Sequence, residues 1–146
     1  MQIIKFILLI IRIVFSGLYG LIVFIRNILY NYQIITIHKF NRPIISVGNI
    51  TIGGTGKTPL VIHIAQLLLK NGSFPGIISR GYGRDSSGLQ IVHDGKKLLC
   101  DIKTSGDEPY LIAKTLSNVP VVVSEKRALG IRQLIDTFFC DIIIMD

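Results

Sequence analysis

Apolar positions fill the first thirty residues almost without a break, and then fall into short runs separated by glycine and polar residues. Residues 3–30 read IIKFILLIIRIVFSGLYGLIVFIRNILY, in which Lys5, Arg12 and Arg26 are the charges. Turned at about 100° per residue, Lys5, Arg12, Ser16, Tyr19, Arg26 and Tyr30 fall in one narrow stripe and the rest of the circumference is apolar, so the pattern predicts a long helix. A membrane span needs about 20 apolar residues in a row, and here Arg12 interrupts the run early, leaving only residues 13–25 uncharged before Arg26. Two geometries stand open. The helix lies in the membrane interface with its cations against lipid head groups, or it forms a tilted single span whose arginines snorkel outward. A cleaved signal peptide fits less well, because no small-residue cleavage site precedes the folded part.

The shorter runs alternate in kind. PIISVGN (residues 43–49) has the β-branched density of a buried strand. PLVIHIAQLLLKNG has Leu60, Ile64, Leu67 and Leu68 at helical spacing, with Pro59 in the first turn and Gly72 as the stop. FPGIISRGYG supplies a strand ending at Ser79, LQIVHDGKKLLC a hairpin turning at Asp94 and Gly95 on one sheet edge, and DEPYLIAKTL a short helix. VPVVVS, EKRALGIRQLIDTF and DIIIMD follow as strand, helix and strand. The alternation predicts an α/β fold, a mostly parallel sheet with flanking helices. Residues 1–35 form the membrane-associated helix and 36–146 the core. Ligands of such sheets sit at the carboxyl ends of the strands, so Asn49, Ser79, Arg80, Ser124 and Asp146 are expected to gather. The chain stops on an apolar run with no turn or polar tail, so a longer parent and a C-terminally incomplete core are expected.

Charge adds a direction. Nine Lys and Arg residues and no Asp or Glu precede Asp85, so the first 84 residues carry +9 and the remainder −2 of the net +7. That asymmetry points to an anionic surface or ligand for the first half. Nucleic acid is disfavoured, because the basic residues are dispersed and no cluster of basic and aromatic residues suited to base stacking occurs. Cys100 and Cys140 lack metal-ligand spacing and read as two reduced thiols, and His38, His63 and His93 are scattered.

Between the first strand and the following helix stands TIGGTGKTP, close to the phosphate-loop pattern G-x-x-x-x-G-K-[ST] but with Thr51 at the first glycine position. Strand, glycine loop and helix are the context that such a loop requires, which gives the core a P-loop NTPase-like character. Gly53, Gly54 and Gly56 permit turns in which successive N–H groups converge on an anion, and the helix N-terminus adds its positive dipole end. Lys57 would bridge the β- and γ-phosphates and the Thr58 hydroxyl would ligate Mg²⁺. Asp146, after four apolar residues, has the form of a Walker-B carboxylate, or of a strand-terminal cap. Asp107 and Glu108 in SGDEP offer a general base for a hydroxyl, or simply negative charge at a helix start. SRGYGR, with Tyr82, is a basic loop suited to a phosphorylated substrate, or a solvated turn.

Taken in order, ISVGNITIGGTGKTP, ISRGYGR, GDEPYLIAK, VVVSEKRALGI and DIIIMD resemble the tetraacyldisaccharide 4′-kinases, which phosphorylate the lipid A precursor. The resemblance covers essentially the whole chain beyond the first few residues, and threonine at the position of Thr51 is ordinary in that family. It implies ATP-dependent phosphorylation of the 4′-hydroxyl of tetraacyldisaccharide 1-phosphate at the cytoplasmic face of the bacterial inner membrane. Lys57 and Thr58, with Gly53, Gly54, Thr55 and Gly56, would bind the ATP phosphates and Mg²⁺. Asp107 is similar to the family's proposed catalytic base, and Glu108 would arrange metal or nucleotide. Arg127 looks like a basic residue of the cleft, Tyr82 lies near nucleotide and lipid, and Asp146 is the first of a paired-Asp motif that holds Mg²⁺. In the family a Gly/Ala-Phe-Gln-His stretch, the rest of the core and a second lobe follow the paired Asp, so residues 1–146 alone are not expected to be a competent kinase. The rival readings are a membrane-associated regulatory switch that hydrolyses ATP or GTP slowly, which leaves GDEP and SRGYG without a task, and a non-catalytic membrane-associated fragment.

Overall fold

The computed structural model describes residues 2–49 and 56–146, with side chains from residue 8 onward. The chain divides into two compact units, Met1–Lys39 and Phe40–Asp146.

The first unit is helix α1, Gln2–Asn31, and the short segment after it. Its stretch Leu8–Asn31, 24 residues whose most apolar 18-residue window has a mean hydropathy of 2.5, is long and apolar enough to cross a membrane. At 1.5 Å per residue those residues span about 36 Å against a hydrocarbon core of about 30 Å, with Arg12 and Arg26 about 21 Å apart near the two ends. The helix stops in a Schellman arrangement. Gln33 takes a left-handed φ of 58°, its N–H donates to the Tyr30 carbonyl, and the Ile34 N–H donates to the Leu29 carbonyl at 2.9 Å.

The second unit is a five-stranded sheet between two helical layers. Its elements in chain order are β1 (Ile44–Ser46), α2 (Lys57–Lys70), β2 (Pro75–Ser79), β3 (Gln90–Asp94), α3 (Ile102–Ser105), α4 (Asp107–Thr115), β4 (Pro120–Val123), α5 (Arg127–Asp136) and β5 (Ile142–Met145). The strand order is β1-β5-β2-β4-β3. β1 with β5, β5 with β2, and β2 with β4 are parallel, and β3 joins β4 antiparallel.

Side-chain alternation divides the core in two. Ile77, Val121, Val123 and Ile144 pack with Val61 and Ala65 of α2, with Ile112 and Ala113 of α4 and with Leu116 just after it. Their neighbours Ile78, Val122 and Ile143 pack with Ile131 and Leu134 of α5 and with Cys140. Because both faces are covered, the central strands must be apolar at every position, which is why PGIIS, PVVV and IIIM carry no charge. Each fully buried Ile, Leu or Val of this set contributes roughly 1.5–3 kcal/mol relative to exposure.

Two sequence expectations change in detail, and one element is new. The segment 43–49, read as a buried strand, forms only the three residues of β1, and Ile44 and Ser46 are exposed. Its apolar composition is that of an inner strand, yet among the described residues it pairs with β5 alone, on the sheet edge. The hairpin turns where expected, with the Asp94 carboxylate accepting the Lys96 and Lys97 N–H groups at 2.7 Å. Its first arm is β3 of the main sheet, however, and its return arm is reduced to an isolated bridge between His93 and Leu98. The short helix α3 was not anticipated; Asp101 caps it by accepting the Thr104 N–H at 2.9 Å. The stop at Gly72 holds, since Gly72 takes a φ of 79° and the Ser73 N–H returns to the Leu68 carbonyl.

β2 approaches α5 so closely that a Cβ on Gly76 would lie 2.7 Å from the Cys140 Sγ and 2.9 Å from Leu134 Cδ2. Cys140 is a free, buried thiol whose pKa burial pushes up to about 12, so it stays protonated packing material. Gly76→Ala should therefore lower the stability of the unit by about 1–3 kcal/mol through overpacking. Adding Cys140→Ala should restore part of that loss, which chemical denaturation of the single and double variants would measure.

Candidate active site

Parallel register brings the strand ends into one row. Ile77 aligns with Ile144 and Ile78 with Met145, while Ser79 aligns with Val123, so Ser79, Ser124 and Asp146 emerge together. The Ser124 N–H donates to the Ser79 carbonyl at 3.0 Å and the Asp146 N–H to the Ile78 carbonyl at 2.9 Å. The Ser79 hydroxyl donates to Asp146 Oδ2 at 3.3 Å. This last contact ties a carboxylate to the polar tip of the neighbouring strand and limits its rotation.

α2 begins beside this row. Gly56, the residue before it, has a φ of 76°, a conformation that a side chain resists. Lys57 opens the helix half-buried, and Thr58 is buried. Gly53, Gly54 and Thr55, and Thr51 before them, lie outside the described residues.

Lys57, Ser79, Arg80, Tyr82, Glu108, Arg127 and Asp146 line one cleft of about 260 Å³. Three cations and two carboxylates from five different segments thus share a space that suits a polyphosphate together with a metal ion. Of the residues singled out in the sequence, Lys57, Tyr82, Glu108, Arg127 and Asp146 come together here. Asp107 is exposed at the first turn of α4 and lies beside, not in, the lining; Glu108 is the carboxylate that the cleft receives from GDEP. Both carboxylates also sit where a helix dipole favours negative charge. Ser124 is buried just behind, its hydroxyl donating to the Lys126 carbonyl at 3.1 Å. Ser79 and Arg80 also belong to the lining, as expected from their place at a strand end, and Arg80 lies in the basic SRGYGR loop. Among the described residues no three His, Cys, Asp or Glu side chains form a metal cluster.

The two arginines of SRGYGR differ in kind. Arg80 is exposed and lines the cleft, whereas the Arg84 side chain is 2% exposed and forms an ion pair with Glu125. The basic loop is therefore neither wholly solvated nor wholly turned to a ligand.

A parallel sheet whose strand ends face the lysine-bearing start of a helix is the frame of the phosphate-loop nucleotide-binding proteins. Comparison with known proteins narrows the class. The family model described as tetraacyldisaccharide-1-P 4′-kinase matches residues 8–146, and the chain belongs to that family. It is 44% identical over 132 residues to a tetraacyldisaccharide 4′-kinase of Desulfotalea psychrophila, covering 90% of this chain and 38% of the relative. It is 44% identical over 134 residues to the kinase of Chlorobium phaeobacteroides, covering 90% of this chain and 38% of that one. The crystal structure of Aquifex aeolicus LpxK in complex with ATP superposes with a TM-score of 0.77 at 41% identity, covering 90% of this chain and 41% of that chain. The chain thus spans 38% of the length of these two curated relatives.

Outside the cleft lining, two carboxylates are held below their ordinary range. The Arg84 guanidinium, by hydrogen bond first, lowers the pKa of Glu125 from its ordinary value of 4.5, and the Thr104 side chain and N–H lower that of Asp101 from 3.8. A depressed folded pKa stabilises the folded state fully above the ordinary value, and the contribution is lost as pH falls through the folded one. Glu125→Gln should therefore flatten the acid limb of the stability curve below pH 4.5 without changing its shape toward neutrality. Denaturation midpoints of wild type and variant across that limb provide the check.

Proposed function

We propose that these residues act in the ATP-dependent phosphorylation of the 4′-hydroxyl of tetraacyldisaccharide 1-phosphate, at the cytoplasmic face of a bacterial inner membrane. The observation that carries the proposal is the cleft, where Lys57, Arg80 and Arg127 face Asp146 and Glu108 at the strand ends. Membership of the kinase family and the likeness to an ATP-bound relative support the nucleotide. Phosphoryl transfer is catalysed mainly by positioning and by neutralising charge on the transferred group. Lys57 would neutralise the phosphates at the helix start, and Arg80 and Arg127, which line the same cleft, would balance further charge.

Asp146 and the Thr58 hydroxyl would hold Mg²⁺, which when bound supplies electrostatic stabilisation to the phosphate oxygens. The Ser79 hydroxyl already fixes one Asp146 oxygen and leaves the other for that purpose. Asp107 is assigned as the base that takes the proton of the attacking hydroxyl, from the rim of the cleft. Glu108, inside it, arranges the nucleotide or metal, and Tyr82, 90% exposed, offers an aromatic face to the lipid sugar. Helix α1 fits the acceptor, because a lipid substrate stays in the bilayer and an apolar helix with basic residues keeps an enzyme there.

The test joins residues 1–146 to the remaining length of the Desulfotalea relative and measures transfer of labelled phosphate from ATP to the acylated disaccharide in mixed micelles. The joined protein should phosphorylate the acceptor at the 4′ position, while residues 1–146 alone should not. Lys57→Ala should cost about 10²–10³ in kcat, the scale of losing one preorganised charge donor, and Asp107→Asn about 10²–10⁴, the scale of losing a general base. Failure of the folded joined protein to use ATP, or full activity in Lys57→Ala, contradicts the reading.

A further inference from the structure

The loop between β2 and β3 has no reason of its own to hold one shape. Gly81, Gly83 and Gly88 all take positive φ values, and glycine loses the most conformational freedom on ordering. Yet this loop must present Arg80 and Tyr82 to the cleft. The structure ties it at three places. The Asp85 N–H donates to the Lys103 carbonyl at 2.8 Å, and the Ser86 hydroxyl to the Thr104 carbonyl at 2.6 Å. The third tie is Arg84: its Nη2 donates to the Gly88 carbonyl at 2.5 Å and to Glu125 Oε1, while Glu125 Oε2 accepts the Gly88 N–H at 3.1 Å. Arginine, carboxylate and the backbone N–H and carbonyl of Gly88 thus close a ring that joins the loop after β2 to the loop after β4.

Packing extends the ring to the segment before α4. A Cβ on Gly81 would meet Arg84 Cδ at 2.6 Å and the Ser105 carbonyl oxygen at 3.1 Å, and one on Gly106 would meet the Tyr82 carbonyl oxygen at 3.0 Å. The Arg84 stem therefore lies under the backbone between Arg80 and Tyr82, and the same backbone rests on the peptide that leads into Asp107 and Glu108. Arg84 itself does not line the cleft. An exposed ion pair would contribute little to such an arrangement, but this guanidinium is desolvated. Its Nε and Nη1 are buried without a hydrogen-bond partner among the described residues, so its charge is balanced through Glu125. The planar fork serves carbonyl and carboxylate at once, which a lysine ammonium does less well.

We propose that Arg84 is a positioning residue, which through Glu125 and Gly88 sets the loops bearing Arg80 with Tyr82, Glu108, and Arg127 in mutual register. What those loops do rests on the kinase reading; the coupling between them does not. The experiment has two arms, on Arg84→Met, Arg84→Lys, Glu125→Gln and the double variant Arg84→Met with Glu125→Gln. In the first, amide hydrogen exchange of the 146-residue chain should rise about tenfold at residues 80–83, 106–108 and 126–128 in Arg84→Met and in Glu125→Gln. It should rise no further in the double variant, because the two groups act as one unit. β2, β4 and β5 should keep their protection, and Arg84→Lys should fall between wild type and Arg84→Met.

In the second arm, in the joined protein, Arg84→Met should lower kcat by about tenfold or more with the KM for ATP little changed, as misplacement of cleft groups requires. Arg84→Lys should recover part of it. Additive exchange effects, faster exchange confined to residues 84–88, or equal loosening of the strands overturns the proposal. So does a kcat that falls only in proportion to the folded fraction. If the wild type transfers no phosphate, the kinase reading falls while the exchange arm still decides the coupling.

Discussion

Parallel pairing of β2 between β4 and β5 is the constraint on which the molecule depends. A strand hydrogen-bonded on both edges and covered on both faces has no place for a charge, since burying one unpaired costs far more than any packing gain. The polar chemistry of the core must therefore begin where the strands stop. Because the three central strands run the same way, they stop at the same end, and Ser79, Ser124 and Asp146 follow directly. The helix that returns from the first strand must also start at that end, which places Lys57 and its unpaired backbone N–H groups in the same space. Anion-binding power at the site is a consequence of topology before it is a property of any one residue.

The same logic explains how the rim is built. Side chains at strand tips are held by the sheet, but Arg80, Tyr82, Glu108 and Arg127 sit one to four residues beyond a strand or at a helix start. They need supports of their own. These come from the Ser79 contact on Asp146, from the Asp101 cap that ends in Gly106, and from the buried Arg84 with Glu125. A phosphate-transfer site tolerates little misplacement, so such supports bear on rate as much as on stability. In the proposed reaction the acceptor is a bilayer lipid, a requirement that an apolar helix carrying Arg12 and Arg26 would meet.

Much of this was legible from residues. The short unbroken apolar runs in FPGIIS, VPVVVS and DIIIMD gave three strands, and their ends named Ser79, Arg80, Ser124 and Asp146 in advance. Lys57 after a glycine loop was legible because few other arrangements need glycine, lysine and threonine in that order. What stayed hidden depended on neighbours. The composition of β1 suits an inner strand, and nothing in IIS says how many partners it has. GDEP offered two adjacent carboxylates, and only the helix phase of α4 brings Glu108 rather than Asp107 into the cleft. Arg84 in a glycine-rich loop reads as solvated, because its burial requires Glu125, which lies 41 positions away.

The central claim is that the carboxyl ends of β2, β4 and β5 with the start of α2 hold the nucleotide phosphates. Amide hydrogen exchange of the chain with and without ATP and Mg²⁺ tests it most directly, because it reports the place of contact and needs no acceptor. The account predicts slowed exchange at residues 57–60, 79–82 and 124–127, with α1 and the outer face of α5 unchanged. Protection confined to other segments, or none at saturating nucleotide, would contradict it.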